Sequence, residues 1–189
     1  MALPAFSQGD NAIKTNLVNF GIGSQSLSYE RVVADNWSIQ LTASHTNYRD
    51  NGTLYKGFGI TPELRYIVFD EEKPHFAFVS LAFQYRRFDL QEYNTLQVLA
   101  PIPGDTSGKL SLQNVVADTR ATANVFGLSV MAGREWVFND RWAVEVFVGP
   151  AYNKAILTHA DNPYKYKIQA TNRIEGLFWK VGVSVGYVF

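Results

Sequence analysis

Three histidines are the residues of this chain best suited to acid–base chemistry, because cysteine is absent. A nucleophilic enzyme needs a hydroxyl or thiol with a base beside it. His45 is followed by Thr46, and His75 precedes an apolar segment. His159 has Asp161 nearby in a polar loop, where a solvated pair is the simpler interpretation and an enzyme is the alternative. No metal-ligand or phosphate-loop spacing occurs, so the sequence predicts a non-enzymatic protein without cofactor or metal.

Charged side chains inside alternating segments have a structural use instead. Six of them occupy positions that otherwise carry small or polar residues, namely Glu30, Glu63, Arg65, Arg86, Glu145 and Lys180. Buried charges must pair or stay hydrated, and three acids with three bases can neutralise one another. Counting from the turns puts the first three of these residues and Glu145 in one layer, with Lys180 at mid-height and Arg86 higher. A packed polar plug is the expected role, and a gated proton or ion path is the alternative.

The segments that carry these charges alternate between large apolar residues and small or polar ones. The last of them runs from Leu177 to Phe189, with apolar residues at every odd position. A period of two is typical of a β-strand with one apolar face. The length is enough for a tilted strand to cross a bilayer, which takes about 9–11 residues.

Seven further segments show the same period, which predicts an all-β protein. They are residues 12–23, 24–33, 37–48, 57–68, 77–86, 126–133 and 142–149. Connections after the second, fourth and sixth strands are short, and those after the third, fifth and seventh are longer. Short turns at one end and long loops at the other are typical of an even antiparallel barrel with both termini at one end. The segment from Phe88 to Arg120 is predicted to be one long irregular segment. Part of it is expected to extend the fifth and sixth strands above the membrane, and the rest to cover a neighbouring protein or fold over the barrel mouth.

The composition agrees with a barrel whose two faces differ. Lys and Arg total 17, Asp and Glu total 17, and this balance gives no electrostatic case for a nucleic-acid partner. No run approaches about 18 consecutive apolar residues, so no membrane-spanning helix is predicted. A soluble barrel would line its cavity with apolar residues, whereas a membrane barrel turns them outward. Because the apolar face is bulky and uniform, we expect it to contact lipid; a β-sandwich is the alternative.

The carboxy terminus also carries a recognisable pattern. Phe189, preceded at two-residue steps by Tyr187, Val185 and Val183, resembles the assembly signal of bacterial outer-membrane β-barrels. The stretch Lys14–Leu17 resembles the opening of small outer-membrane barrels of Bacteroidota. The resemblance implies an eight-stranded antiparallel up-and-down transmembrane β-barrel of the OmpA, OmpX or OmpW type. It further implies residence in the bacterial outer membrane, contact with outer-membrane lipid, and the barrel-assembly machinery as a partner during biogenesis.

The amino-terminal residues lack any period. Ala5-Phe6-Ser7 followed by Gln8 resembles a signal-peptidase site. We therefore expect residues 1–11 to form a flexible tail that is a signal-peptide remnant, and residues 12–189 to form the barrel. A plain disordered tail is the alternative.

The long loop is the strongest functional candidate, since long loops without a pattern of their own are usually functional or disordered. It is rich in apolar residues, among them Leu96, Val98, Leu99, Ile102, Leu110 and Leu112. Docking of another envelope protein is the expected role, with self-packing or a ligand site as alternatives. The predicted function is a membrane scaffold or accessory subunit of an envelope complex with a plugged lumen. A narrow channel for small or apolar solutes is the second hypothesis.

Overall fold

The fold is a closed barrel in which every strand is antiparallel to its neighbours and β1 closes against β8. The computed structural model describes residues 11–21, 23–50, 52–69, 75–101, 110–161 and 174–189, and the side chains of these except at 69, 75, 92–101, 110–119 and 158–161. The strands are β1 (Asn11–Asn16), β2 (Ser24–Ala34), β3 (Trp37–Asp50), β4 (Thr53–Phe69), β5 (His75–Pro101), β6 (Leu110–Phe138), β7 (Trp142–Asp161) and β8 (Gly176–Val188). The predicted eight-stranded antiparallel up-and-down barrel is confirmed.

The two faces of the strands point as the alternation predicts. Leu41 and Val181 are 53% and 54% exposed on the outside, and Val146 is also exposed. Glu63 is only 4% exposed and faces the lumen. An apolar exterior around a polar interior is the arrangement of a membrane barrel, since a soluble barrel has the reverse.

The apolar exterior forms a belt of the height that a membrane requires. On β4 it runs from Phe58 to Val68, both of which are exposed. Ten residues at about 3.3 Å each, tilted by about 40°, span about 25 Å along the membrane normal, which is the usual height of such a belt. Aromatic pairs mark the end of the belt where both termini lie: the ring centroids of Trp37 and Tyr66 are 5.1 Å apart, and those of Trp142 and Tyr187 are 5.5 Å apart. Together these features define a transmembrane barrel.

The prediction that the first strand continues to Gly23 is wrong. β1 ends at Asn16 and is followed by a short helix, α1 (Leu17–Gly21). The side-chain oxygen of Asn16 accepts hydrogen bonds from the backbone N–H of Val18 (3.0 Å) and Asn19 (3.2 Å), so it caps the helix. No helix in the described part of the chain is long and apolar enough to cross a membrane.

The prediction that the segment from Phe88 to Arg120 is irregular is wrong over the residues that the structure describes, whereas the expected extension of the fifth and sixth strands is confirmed. β5 continues to Pro101 and β6 begins at Leu110, with Pro101 opposite Leu110 in the ladder. The alternation persists here with its phase reversed, because Phe88 and Leu90 now point inward and are buried. A prediction that required apolar residues on the outer face therefore did not recognise the residues after Phe88 as a strand.

Candidate functional site

The lumen near the terminal end of the barrel holds a cluster of ion pairs centred on Lys14. Its ammonium lies 2.6 Å from a Glu30 oxygen and 3.0 Å from a Glu145 oxygen, and it also contacts Glu135. These four residues come from four different strands: β1, β2, β6 and β7. Gly186 lies opposite Lys14 in the ladder, and a Cβ there would meet Lys14 Cγ at 2.6 Å. The glycine therefore makes room for the lysine stem.

Arg65 is the second cation of the cluster and is fully buried. Its Nε donates to Glu63 Oε1 at 2.7 Å. Its Nη1 donates to Glu145 Oε2 at 2.5 Å and to Glu30 Oε2 at 3.2 Å, while Nη2 donates to the other Glu145 oxygen at 3.3 Å. The ladder places Ser38 and Ser80 on either side of it, and such small residues leave space for the long side chain. Such charge-assisted, bidentate bonds are the stronger kind of hydrogen bond.

A layer of rings accompanies the ion pairs. Phe78, Ala82, Met131 and Phe147 form a buried cluster inside the barrel, and the Arg65 guanidinium carbon lies 4.5 Å from the centroid of the Phe78 ring. A Cβ on Gly133 would collide with Phe78. The glycine thus admits a full aromatic ring to a lumen that is narrow in every eight-stranded barrel. The ring layer therefore packs directly against the ion pairs inside the lumen.

The sequence placed four residues of this cluster correctly in one layer, since Glu30, Glu63, Arg65 and Glu145 do contact one another through Arg65. It missed Lys14 and Glu135. Glu135 follows Gly133 on the same face of β6, so extending the alternation by one step would have found it. Lys14 lies between the inward positions of Ala12 and Asn16 and could have been found in the same way.

Lys180 and Arg86 lie in the lumen but outside this cluster. Neither forms an ion pair with any residue that the structure describes, and the guanidinium of Arg86 lies 5.4 Å from the centroid of the Phe88 ring. Arg86 Nε is buried with no hydrogen-bond partner among the described residues. The cluster itself carries two cations and four carboxylates, a formal charge of 2 − 4 = −2. Lys180 and Arg86 bring two further cations, which balances this charge among the lumen side chains that the structure describes.

Three of the carboxylates also form the type of oxygen set that divalent cations bind. One oxygen each of Glu30, Glu135 and Glu145 lies within 4.8 Å of the others. The ammonium of Lys14 contacts all three, so it already supplies the positive charge that the set requires. The arrangement therefore acts as an ion-pair network in which the lysine takes the place of a metal.

Beyond the membrane belt the interior becomes apolar. Buried side chains there include Tyr55, Phe88, Leu90, Val125 and, from the segment before β8, Ile174. The ring of Tyr48 stacks on that of Tyr55 at 4.8 Å. This second layer places apolar side chains in the other half of the lumen.

The candidate partner residues and the assembly signal occupy different regions. Leu96, Val98 and Leu99 lie on β5, and Leu110 and Leu112 lie on β6, with Leu99 opposite Leu112. Their side chains, and all of Ile102, lie outside the described residues.

The assembly-signal residues Val183, Val185 and Tyr187 lie on β8. Phe189 follows them, donates its backbone N–H to Asn11 at 2.9 Å and accepts one back at 3.3 Å. The last residue therefore takes part in closing the seam between the first and last strands.

The side chain of His45 lies apart from the lumen. His45 is exposed on the outer face of β3, opposite Phe58. The side chains of His75 and His159 lie outside the described residues.

An eight-stranded closed barrel with a lipid-facing belt and an ion-paired lumen defines the class of small outer-membrane-type β-barrels. The chain belongs to the family described as Protein of unknown function (DUF3575), whose model matches residues 1–167.

Solved structures support this class. Neisserial surface protein A is similar, with a TM-score of 0.54 and 13% identity over 96% of this chain and 95% of that one. A major outer membrane protein from Thermus thermophilus has a TM-score of 0.58 and 9% identity over 95% of this chain and 98% of that one. Comparison with curated protein sequences finds no match. At these identities the likeness shows the shared fold.

Proposed function

We propose that the protein is a non-enzymatic barrel of the bacterial outer membrane that serves as a scaffold or accessory subunit of an envelope complex. The observation that carries the proposal is the packing of side chains at two levels of the lumen. Arg65 and its carboxylate partners occupy one level, Phe78 and Phe147 the same region, and Tyr55 with Phe88 the opposite half. Conduction would require these side chains to separate, and buried charges resist separation because each would lose its partner.

The exterior of the barrel supports the proposed location. A belt of lipid height with aromatic pairs at one end requires a membrane, and closed antiparallel barrels of this size are typical of outer membranes. In an even-stranded barrel of this kind both termini face the periplasm. The pattern that ends at Phe189 is expected to be recognised by the barrel-assembly machinery during insertion.

The accessory role is supported by the length of β5 and β6. These strands have 27 and 29 residues, whereas β4 has 17. The ladder with β4 ends at Glu92 and the ladder with β7 ends at Arg120. From Tyr93–Asp118 to Pro101–Leu110, nine residue pairs are therefore joined only to each other among the described strands. An isolated two-stranded ribbon is marginally stable in water, and both its edges offer unpaired backbone groups. A partner protein that covers this ribbon would stabilise it.

Planar-bilayer recording of the full-length protein tests the plug. We expect no conductance steps from the wild-type protein. Replacing both rings (Phe78→Ala with Phe147→Ala) should open the lumen and produce steps, while the outward-facing Leu81→Ala is the matched control and should stay silent. Steps in the wild-type protein that disappear with Glu63→Gln or Arg65→Gln would contradict the scaffold proposal.

Crosslinking in native membranes tests the partner. A photocrosslinker placed at Leu96 or Leu112 should link to one reproducible envelope protein. The same crosslinker at Leu41, which faces lipid, is the control and should not. A ribbon that can be replaced by a short turn without loss of any interaction would remove the support for an accessory role.

A narrow channel is the second candidate, and it is favoured by one observation. Lys180 is half-buried and Arg86 has an unpaired Nε, so the middle of the lumen holds two cations without acidic partners among the described residues. A channel lined in this way would prefer anions. Anion-selective conductance that falls with Lys180→Gln would support it.

A further inference from the structure

Two cations of the lumen, Arg86 and Lys180, lie between its two packed levels. Phe147, which belongs to the ring layer, is opposite Gly182 in the ladder, and Lys180 is the next inward residue of β8 on the side away from the termini. Arg86 is the inward residue of β5 directly below Phe88, which belongs to the upper apolar layer. Both cations therefore occupy the level between the rings and the upper layer.

Neither cation has a counterion at contact distance among the residues that the structure describes. The carboxylates of the lower cluster act on Lys180 only at longer range, and Glu63 already accepts a hydrogen bond from Arg65 Nε at 2.7 Å. Lys180 and Arg86 are close enough to repel each other. The Nε of Arg86 is buried and donates to no described residue. Because a buried cation without a partner is costly, this level of the lumen favours an anion.

The ladder neighbours of the two cations are small. Gly59 lies between Arg86 and Ser44, and a Cβ there would meet Arg86 Cγ at 2.6 Å and Ser44 Oγ at 2.8 Å. The glycine therefore makes room for the arginine stem and places a hydroxyl beside it. Lys180 is likewise opposite a glycine, Gly149. Guanidinium, ammonium and hydroxyl donors are the groups that bind the oxygens of phosphates and carboxylates.

The wall beside Lys180 is not continuous β-sheet. The ladder between β1 and β8 ends with Asn16 opposite Ser184, so residues 177–183 of β8 pair with β7 alone among the described strands. The five-residue helix α1 contacts β8 and forms no backbone hydrogen bond to it. Leu177 and Trp179 are each 75% exposed on the outer face of this stretch. We call the boundary between α1 and residues 177–183 the seam.

We propose that Arg86 and Lys180 form an oxyanion-binding site in the middle of the lumen, and that this site takes the headgroup of an anionic single-chain lipid through the seam. Entry at the seam crosses neither packed level of the lumen, and the exposed apolar residues beside it suit a lipid chain. A free inorganic anion has the same headgroup chemistry and is the other source. The proposal does not rest on the scaffold role: conductance reports on that role, whereas anion titration reports on the site, so the two can fail separately.

The experiment uses full-length protein in dodecyl maltoside micelles and isothermal titration calorimetry. Dodecyl phosphate is the lipid-borne probe, and inorganic phosphate is the free one. We expect saturable, one-to-one binding of dodecyl phosphate. A hydrogen bond to a charged group is worth about tenfold in affinity or more, so Arg86→Gln and Lys180→Gln should each weaken binding by about tenfold, whereas Lys180→Arg should retain it.

The matched control is Arg134→Gln, which removes an exposed, outward-facing cation near the terminal end and should leave binding unchanged. Heat-modifiable electrophoretic mobility shows that each variant is folded. Absence of saturable binding in both titrations, or an equal loss in the control variant, would overturn the site.

The route is tested by dodecyl phosphate that carries a photoreactive group at the end of its chain. We expect it to label α1 or residues 177–183, as identified by mass spectrometry of the labelled peptides. Labelling spread over the β3 wall around Leu41 would overturn entry at the seam. Binding of inorganic phosphate with the same dependence on Arg86 and Lys180, and without binding of dodecyl phosphate, would keep the site and overturn the lipid as its ligand.

Discussion

The membrane-embedded half of the barrel and the half that extends beyond it are built from the same strands, but their apolar side chains lie on opposite faces of the wall. Within the belt, Leu41 and Val181 point outward and Arg65 points inward. Beyond it, Lys56 points outward, while Leu90 is buried inside. Inward and outward positions alternate without interruption along β4 and β5. What changes is which of the two faces carries the apolar residues.

The medium outside the wall explains this reversal. Lipid accepts apolar side chains, so the polar and charged ones must be satisfied inside the lumen. Water accepts polar side chains, so the upper half packs an apolar core like that of a soluble barrel. A single strand therefore encodes both environments, and the position of the phase change marks the membrane boundary.

The largest expected effect comes from removing the central cation of the lower half. Arg65→Leu would leave Glu63 without an ion-pair partner among the described residues and Glu30 and Glu145 with Lys14 alone. Breaking a buried ion pair in this way costs about 3–5 kcal/mol. Urea unfolding in lipid vesicles measures the loss. The outward-facing Arg134→Leu is the control and should change the free energy of unfolding by less than about 0.5 kcal/mol. Equal stability of both variants would show that the ion pairs do not hold the lower half together.

Truncation of a side chain in the upper core tests whether that half behaves like the core of a soluble protein. Leu90→Ala should cost about 2–5 kcal/mol, because it removes buried apolar contacts and leaves a cavity. Hydrogen exchange should accelerate in the upper parts of β4–β6 and stay slow in the belt. The exposed Asn47→Ala serves as the control. Acceleration spread evenly over both halves would contradict the division.

A charged side chain introduced on the outer face of β3 should locate the membrane boundary. Leu41→Arg puts a cation near the middle of the belt and should cost about 2–4 kcal/mol, whereas Asn47→Arg on the same strand lies above the belt and should cost about 0–1 kcal/mol. Unfolding in vesicles of both variants gives the comparison. A similar cost at the two positions would place the boundary elsewhere.

The smallest expected effect tests how tightly the rings inside the lumen are packed. Gly182→Ala introduces a methyl group that would collide with Phe147 and with the amide of Asn16, and such overpacking costs about 1–3 kcal/mol. Gly21→Ala has open space around it and is the control. A neutral Gly182→Ala would mean that the ring layer is loosely packed, which would weaken the case for a closed lumen.

Prediction from the sequence succeeded for features that depend only on neighbouring residues. The alternation of Leu41 with its polar neighbours predicts both the strand and the face that meets lipid, because successive side chains of any strand point to opposite sides. The same reasoning placed Glu63 and Arg65 in the lumen. It failed at α1, whose start depends on one capping side chain, and beyond Phe88, where the apolar face changes sides.

By itself, the sequence determined that the chain forms strands, that these close with lipid-compatible residues outside, and that charges are enclosed. Only the tertiary structure decided which charges meet. Lys14 and Glu145 are 131 residues apart and come together across the lumen. Their meeting depends on the register of every strand around the barrel, since each register offset shifts the height of all strands that follow. The combined register of all eight strands is a property of the closed sheet, and no local sequence pattern determines it.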